Sequence, residues 1–120
     1  MRIWIDCEFN DFRGELISMA LVAADGTQWY RALHCPSPSE WVALQVMPVI
    51  GIQPITRADF AKQLEVWLLQ FDSIHIVADW PEDIAHFCNA LITGPGKRIK
   101  TPPLTLEIRR DLDLTPSAIP

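Results

Sequence analysis

The segment IWIDCEF (residues 3–9) decides how this chain is interpreted, because an apolar run leads directly into two carboxylates. Side chains alternate between the faces of a β-strand, so Asp6 and Glu8 are expected side by side at the end of one strand. Two anions there repel each other and are costly to desolvate, and a divalent cation would remove that cost. Carboxylate oxygens suit Mg²⁺ or Mn²⁺. The alternative is that Glu8 has left the strand and both acids are merely solvated.

Length and composition indicate one globular domain over residues 1–120. Apolar residues make up 49% of the chain and charged residues 21%, and the formal net charge is −5. This charge argues against a general duplex-DNA binder, but not against a pocket that holds one strand end through metal ions. No apolar run is long enough to span a bilayer, and the N-terminus lacks a signal-peptide pattern. The three cysteines form no CxxC pair, which fits reduced thiols. We therefore expect a cytoplasmic protein with no membrane association.

The order of secondary structure elements predicts an α/β fold. RIWI, ELISMALVAADG and TQWYRAL are predicted as a three-stranded antiparallel meander, with a hairpin turn at Asp25-Gly26. A short helix in SPSEWVALQVMPVI follows, with Ser39 as its possible cap, and then a longer helix in ITRADFAKQLEVWLLQF, capped by Thr56. IHIVAD is a predicted strand, WPEDIAHFCNALITG a helix that ends at Gly94, PGKRIKTPP a loop and LTLEIRRDL a final strand or connector. Strands followed by helix–strand alternation indicate a mixed sheet with flanking helices.

Several other residues have structural interpretations at this stage. The five tryptophans lie mostly at helix and strand positions and are interpreted as core. The three histidines are interpreted as structural, since none has a second histidine four residues away. The GKRIK segment with Arg109 and Arg110 could contact phosphates, although a solvated loop is the favoured interpretation.

A second pair of acids follows the predicted strand IHIVAD. Asp79 lies at the end of that strand, and Asp83 lies in the first turn of the next helix. Ligands gather at such strand ends in α/β sheets. Each acid also has an ordinary interpretation, because Asp79 could be the N-cap of the helix and Asp83 could complement the helix dipole.

These segments together resemble the DnaQ-like (DEDD) 3′→5′ exonuclease superfamily. IWIDCEFN with ELISMALVAADG is similar to its first motif, a strand ending in D-x-E followed by a hairpin strand, and VADWPEDIAHF is similar to its second motif. The similarity is closest to the short bacterial 3′→5′ exoribonuclease group and covers nearly the whole chain. It implies a ribonuclease H-like fold, with a three-stranded antiparallel meander, further parallel strands and flanking helices.

The resemblance also implies roles for individual residues. Asp6, Glu8 and Asp83 would be the catalytic metal ligands, with Asp79 as the alternative to Asp83, and the cofactors would be two Mg²⁺ or Mn²⁺ ions. Phe9 and Asn10 fall where the family contacts the terminal base and sugar, and Phe9 could instead belong to the core. The partner would be the 3′ end of single-stranded RNA or DNA, and a homodimer is possible in this superfamily.

One part of the family pattern has no counterpart in these 120 residues. The third motif is a helix that carries His or Tyr and, a few residues later, a fourth Asp. His86 lies only one turn past Asp83, and Asp111 and Asp113 come before any final helix. We therefore expect three carboxylate ligands and no general base, with the motif either beyond Pro120 or lost from an incomplete copy.

The sequence thus leads to two hypotheses. The first is a metal-dependent 3′→5′ exoribonuclease that releases nucleoside 5′-monophosphates from single-stranded ends. The alternative is a non-catalytic ribonuclease H-like module that binds nucleic acid or protein, and the missing motif favours it.

Overall fold

A mixed β-sheet with helices on its faces organises the computed structural model of the chain, which describes residues 1–110. In chain order the elements are β1 (Arg2–Phe9), β2 (Leu16–Ala23), β3 (Gln28–Leu33), α1 (Glu40–Gln45), a 3₁₀ turn (Met47–Val49), β4 (Pro54–Ile55), α2 (Arg57–Leu68), β5 (Ile74–Ala78), α3 (Pro81–Leu91), β6 (Ile92–Gly94), β7 (Lys97–Arg98) and β8 (Leu104–Ile108).

The sheet confirms the predicted combination of antiparallel and parallel strands. Its order is β4-β3-β2-β1-β5-β8, in which β1, β2 and β3 form the antiparallel meander. The turn between β2 and β3 lies at Asp25-Gly26, where the φ of 91° at Gly26 suits glycine. β5 pairs in parallel with β1 and with β8, so the β1 and β5 strands end at the same edge of the sheet.

The main core lies between one face of the sheet and helices α2 and α3. Ile3, Ile5 and Cys7 point to this face from alternate positions of β1. In α2, three buried residues at steps of four give the matching helical stripe, namely Phe60, Leu64 and Leu68. The Thr56 side chain caps this helix by accepting a hydrogen bond from the Asp59 backbone N–H at 3.1 Å, as predicted. The sequence therefore specifies both sides of this interface.

A β-bulge in β2 supplies a second, smaller core on the opposite face. Glu8 pairs with Ser18 and Phe9 pairs with Leu16, which leaves Ile17 as the extra residue. Leu16 joins the main core, whereas Ile17 packs with Val42 of α1 in the smaller one. The Ser39 side chain caps α1, as predicted, by accepting from the Val42 N–H at 3.2 Å. The bulge thus attaches α1 near the carboxylate end of β1.

Two boundary predictions are wrong. Helix α3 ends at Leu91 instead of Gly94, because Ile92 has an extended backbone. The segment interpreted as a basic loop begins as part of a hairpin, in which β6 pairs with β7 across Pro95-Gly96. The predicted helix entry TPSAIP, together with Asp111 and Asp113, lies outside the described residues. No helix within residues 1–110 combines the length and apolar character needed to cross a membrane.

An acidic cleft as the candidate functional site

The C-terminal end of β1, which carries Asp6 and Glu8, extends beyond the parallel strand β5. β5 pairs with β1 only from Arg2 to Trp4, whereas β1 continues along β2 as far as Phe9. The edge of β1 near Cys7 is therefore left for another partner. The Asp83 side chain from α3 takes this place and accepts a hydrogen bond from the Cys7 backbone N–H. The early end of β5 thus lets the first turn of α3 bring a carboxylate to β1.

Asp6 and Glu8 lie on one face of β1, as the alternation predicts. Both are half-buried, while Ile5 and Cys7 point into the core on the other face. Glu8 still belongs to the strand, opposite Ser18 of β2, so the alternative in which it has left the strand is wrong.

The structure brings all four sequence-predicted acids to one cleft of about 440 Å³. The carboxylates come from the end of β1, from the residue after β5 and from the first turn of α3. They are Asp6, Glu8, Asp79 and Asp83. Asp6 and Glu8 also line a second cavity of about 240 Å³ with Ser18 and Tyr30.

Burial and mutual repulsion destabilise the ionised forms of the carboxylates in this cleft. Burial is the main reason that the pKa of Asp83 rises to about 8, with the charges of Asp6 and Asp79 adding to it. Burial is also the main reason that the pKa of Asp6 rises to about 7, with Glu8 and Asp79 adding to it. Burial likewise raises the pKa of Glu8. The Cys7 N–H opposes these effects by donating to the carboxylates of Asp6 and Asp83.

Asp79 and Asp83 differ in their surroundings. Asp83 is buried, with 2% of its surface exposed, whereas Asp79 is exposed. Asp79 is not the N-cap of α3, because Trp80 occupies that position and makes no side-chain capping bond. The dipole interpretation of Asp83 remains compatible with the structure, since Asp83 lies in the first turn of α3 together with Glu82.

The two residues predicted to contact substrate have different neighbours. Phe9 lines the cleft, and its ring lies 5.0 Å from that of His86, measured between centroids. Phe9 also packs against the main core, so both interpretations describe part of its environment. Asn10 holds the surrounding loops: its Nδ2 donates to Glu15 and to the Ser37 carbonyl, and its Oδ1 accepts from the Ser39 N–H.

The donor set fits magnesium or manganese in its chemistry, because these ions prefer carboxylate oxygens and would relieve the repulsion in the cleft. Within residues 1–110, however, no group of three or more His, Cys, Asp or Glu side chains is arranged so that it could hold a metal ion. The residues that line the cleft include no histidine. The cleft therefore contains carboxylate ligands of the right chemical type, but they are not arranged around one ion position.

Aromatic residues around the cleft were missed at the sequence level. Trp41 and Trp80 are 61% and 46% exposed, so the prediction that the tryptophans belong to the core is wrong for these two. They line the cleft with Phe12, which is 78% exposed. Helix α1 buries Val42, so the adjacent Trp41 points to another side of the helix. Which of these two neighbours is buried depends on tertiary packing, and the sequence carries no signal for it.

Comparisons of the chain with models of known protein families and with curated proteins gave no match.

Proposed function

We propose that this protein is a metal-dependent 3′→5′ exoribonuclease with a ribonuclease H-like fold. It would act on single-stranded ends and release nucleoside 5′-monophosphates. The observation that carries the proposal is the meeting of four carboxylates from three separate elements in one cleft, where burial raises the pKa values of Asp6 and Asp83. A bound cation would offset the repulsion in the cleft and keep these carboxylates ionised.

Different side chains of the cleft would bind the ions and the substrate. Asp6 and Glu8 on β1 and Asp83 on α3 would hold Mg²⁺ or Mn²⁺, with Asp79 as the alternative to Asp83. The Cys7 N–H orients Asp6 and Asp83 by donating to both carboxylates. Phe9 offers a ring face at the cleft for the terminal base.

Bound ions of this kind neutralise phosphate charge and lower the pKa of a coordinated water. The protein must still remove a proton from the attacking water. His86 does not serve this purpose, because it packs against Phe9 and is not among the cleft-lining residues. Burial lowers the pKa of His86. Among residues 1–110, no histidine lines the cleft to act as this general base.

The alternative function is a non-catalytic module that binds nucleic acid or protein. The observation that favours it is that the described residues contain no preformed group of three metal-binding side chains. In that case the cleft would bind a strand end without cutting it.

Degradation of labelled single-stranded RNA separates these functions. With Mn²⁺, we expect RNA labelled at its 5′ end to shorten stepwise to a ladder, while the released product is nucleoside 5′-monophosphate. The Asp6→Asn variant should lose activity by about 100-fold or more, because it removes a proposed metal ligand. Asp72→Asn is the matched control, since Asp72 is exposed and precedes β5 at the other end of that strand.

Three outcomes would contradict the exonuclease proposal. Internal cuts in a circular RNA would indicate an endonuclease. Full activity of Asp6→Asn would remove Asp6 from the mechanism. RNA binding without any shortening in Mn²⁺ would favour the non-catalytic module.

A further inference from the structure

Three exposed aromatic side chains surround the acidic cleft. We call Phe12, Trp41 and Trp80 the aromatic rim; they are 78%, 61% and 46% exposed. Large aromatic side chains normally lose most of their exposed surface on folding, and a group of them beside a cleft marks a binding surface. The rim is therefore a candidate for contacting whatever enters the cleft.

Glu82 holds two parts of the rim in position. One of its carboxylate oxygens accepts from the Trp80 indole N–H at 3.1 Å, and the other accepts from the Arg13 backbone N–H at 3.2 Å. Arg13 directly follows Phe12 in the loop between β1 and β2. A single side chain of α3 thus connects the Phe12 loop to Trp80. Exposed rings that are held in this way can receive a ligand with little further loss of conformational freedom.

Guanidinium groups accompany the same two rings. The Arg13 Cζ lies 4.9 Å from the centre of the Phe12 ring, and the Arg110 Cζ lies 5.3 Å from the centre of the Trp80 ring. Aromatic faces beside cations are the combination that binds single-stranded nucleic acid, because bases stack on the rings and phosphates approach the cations. Paired bases in a duplex do not present free faces to such rings.

We propose that the aromatic rim stacks the bases of a single-stranded nucleic acid whose end enters the acidic cleft, with Glu82 as a positioning residue for Phe12 and Trp80. This inference rests on the proposed function, because it assigns the rim to the strand that leads to the reacting phosphodiester. It adds that binding depends on unpaired bases as well as on the carboxylates.

Binding and hydrolysis are measured separately to test the proposal. The probe for binding is a fluorescein-labelled single-stranded hexaadenylate with cleavage-resistant phosphorothioate linkages, followed by anisotropy in Mn²⁺. The probe for hydrolysis is bis(p-nitrophenyl) phosphate, a phosphodiester without bases whose two nitrophenyl rings can still stack, so kcat and KM are measured separately. The variants are Phe12→Ala, Trp41→Ala, Trp80→Ala and Trp80→Phe. The control is Val66→Ala, an exposed apolar position on α2 that is not among the residues lining the cleft.

We expect each alanine variant of the rim to weaken binding of the hexaadenylate by about 5- to 150-fold, which corresponds to the loss of one stacked base. Trp80→Phe should keep most of the affinity, since it retains a ring, and Val66→Ala should bind like the wild type. Glu82→Ala should weaken binding of the hexaadenylate, and Glu82→Gln, which keeps an acceptor oxygen, should restore part of it. The rim variants should raise the KM for the small diester, because its nitrophenyl rings can also stack on the rim, while its kcat changes much less. Melting curves verify that the variants are folded.

The remaining outcomes distinguish the two proposals. Wild-type affinity in all three alanine variants would overturn the rim inference, and so would an equal loss in kcat for the diester in those variants. Strand binding that requires the rim, without hydrolysis of either substrate, would support the rim while contradicting the exonuclease. A wild-type protein that neither binds the hexaadenylate nor hydrolyses the diester would overturn both.

Discussion

The ionised side chain of Asp83 lowers the stability of the fold, although the proposed function requires that charge. A carboxylate that is 2% exposed and close to Asp6 and Asp79 is destabilising when it is ionised. The hydrogen bond from the Cys7 N–H compensates only in part, since the pKa of Asp83 remains raised to about 8. A group with this property is retained in functional sites more often than in purely structural positions.

We predict that Asp83→Asn stabilises the metal-free protein. The amide keeps an acceptor for the Cys7 N–H and removes the charge, so the melting temperature in EDTA should rise by roughly 5–10 °C, equivalent to about 1–2 kcal/mol. Millimolar Mn²⁺ should raise the melting temperature of the wild type, because binding to the folded state alone stabilises it, and should have little effect on the variant. Calorimetry or a fluorescence melt measures both quantities.

The control for this prediction is Asp72→Asn, which should follow the wild type with and without Mn²⁺, because Asp72 is exposed and lies outside the cleft. An Asp83→Asn variant that melts below the wild type in EDTA, or that keeps the full response to Mn²⁺, would contradict the proposed role of Asp83.

At the scale of elements, the loop between β1 and β2 sets the position of several cleft residues. Asp11 and Arg13 have positive φ values of 59° and 58°, and the Asn10 N–H donates to the Glu15 carbonyl at 2.9 Å. Gly14 allows this tight path, because a Cβ there would lie 1.6 Å from the Asn10 carbonyl oxygen. The loop thus depends on the absence of a side chain at one position.

Gly14→Ala should therefore destabilise the protein by about 2–4 kcal/mol, because the backbone has to move before the methyl group can be accommodated. Chemical denaturation measures this change. Gly94→Ala is the matched control, since a Cβ there would meet only the Lys97 Cδ at 3.8 Å, and its effect should stay within about 0.5 kcal/mol. Equal stability of the two variants would show that the loop can rearrange freely.

The elements themselves were largely predictable, since local rules and burial agree in them. Thr56 caps α2, Asp25-Gly26 turns β2 into β3, and the steps of three and four define the buried side of α2. The hairpin of β6 and β7 is not expected from the sequence although Pro95-Gly96 is a turn signal, because a basic segment with prolines is also typical of a solvated loop.

The positions of the acidic residues in the cleft could be predicted from the sequence, whereas the exposure of the aromatic rim could not. Carboxylates two residues apart, or just after a strand, follow directly from strand periodicity. The exposure of Trp41 and Trp80 depends on how α1 and α3 meet the sheet, which is a tertiary property that sequence position does not give. The homodimer that the resemblance implies also depends on tertiary surfaces, and it stays a prediction.

At the scale of the whole molecule, the raised pKa values of Asp6 and Asp83 determine how stability varies with pH. Both values, about 7 and about 8, lie above the ordinary 3.8 of an aspartate in an unfolded chain. Between these limits the folded state binds more protons than the unfolded state, so stability increases as the pH falls. Below the unfolded value the two states are equally protonated at these groups, and no further gain follows.

The metal-free protein should therefore be more stable near pH 5.5 than near pH 8.5, and the difference should decrease in an Asp6→Asn/Asp83→Asn double variant. Urea unfolding in EDTA at several pH values measures both trends. Stability that rises steadily from pH 5.5 to pH 8.5 would contradict the charge distribution of the cleft.

The hydrogen bonds from the Cys7 N–H to Asp6 and Asp83 also give the molecule an internal reporter. The strength of these bonds varies with the charge of the carboxylates, so protonation or cation binding in the cleft should shift the nitrogen-15 resonance of that one amide. The occupancy of the cleft could then be followed by spectroscopy from a backbone atom, without a substrate and without altering any residue.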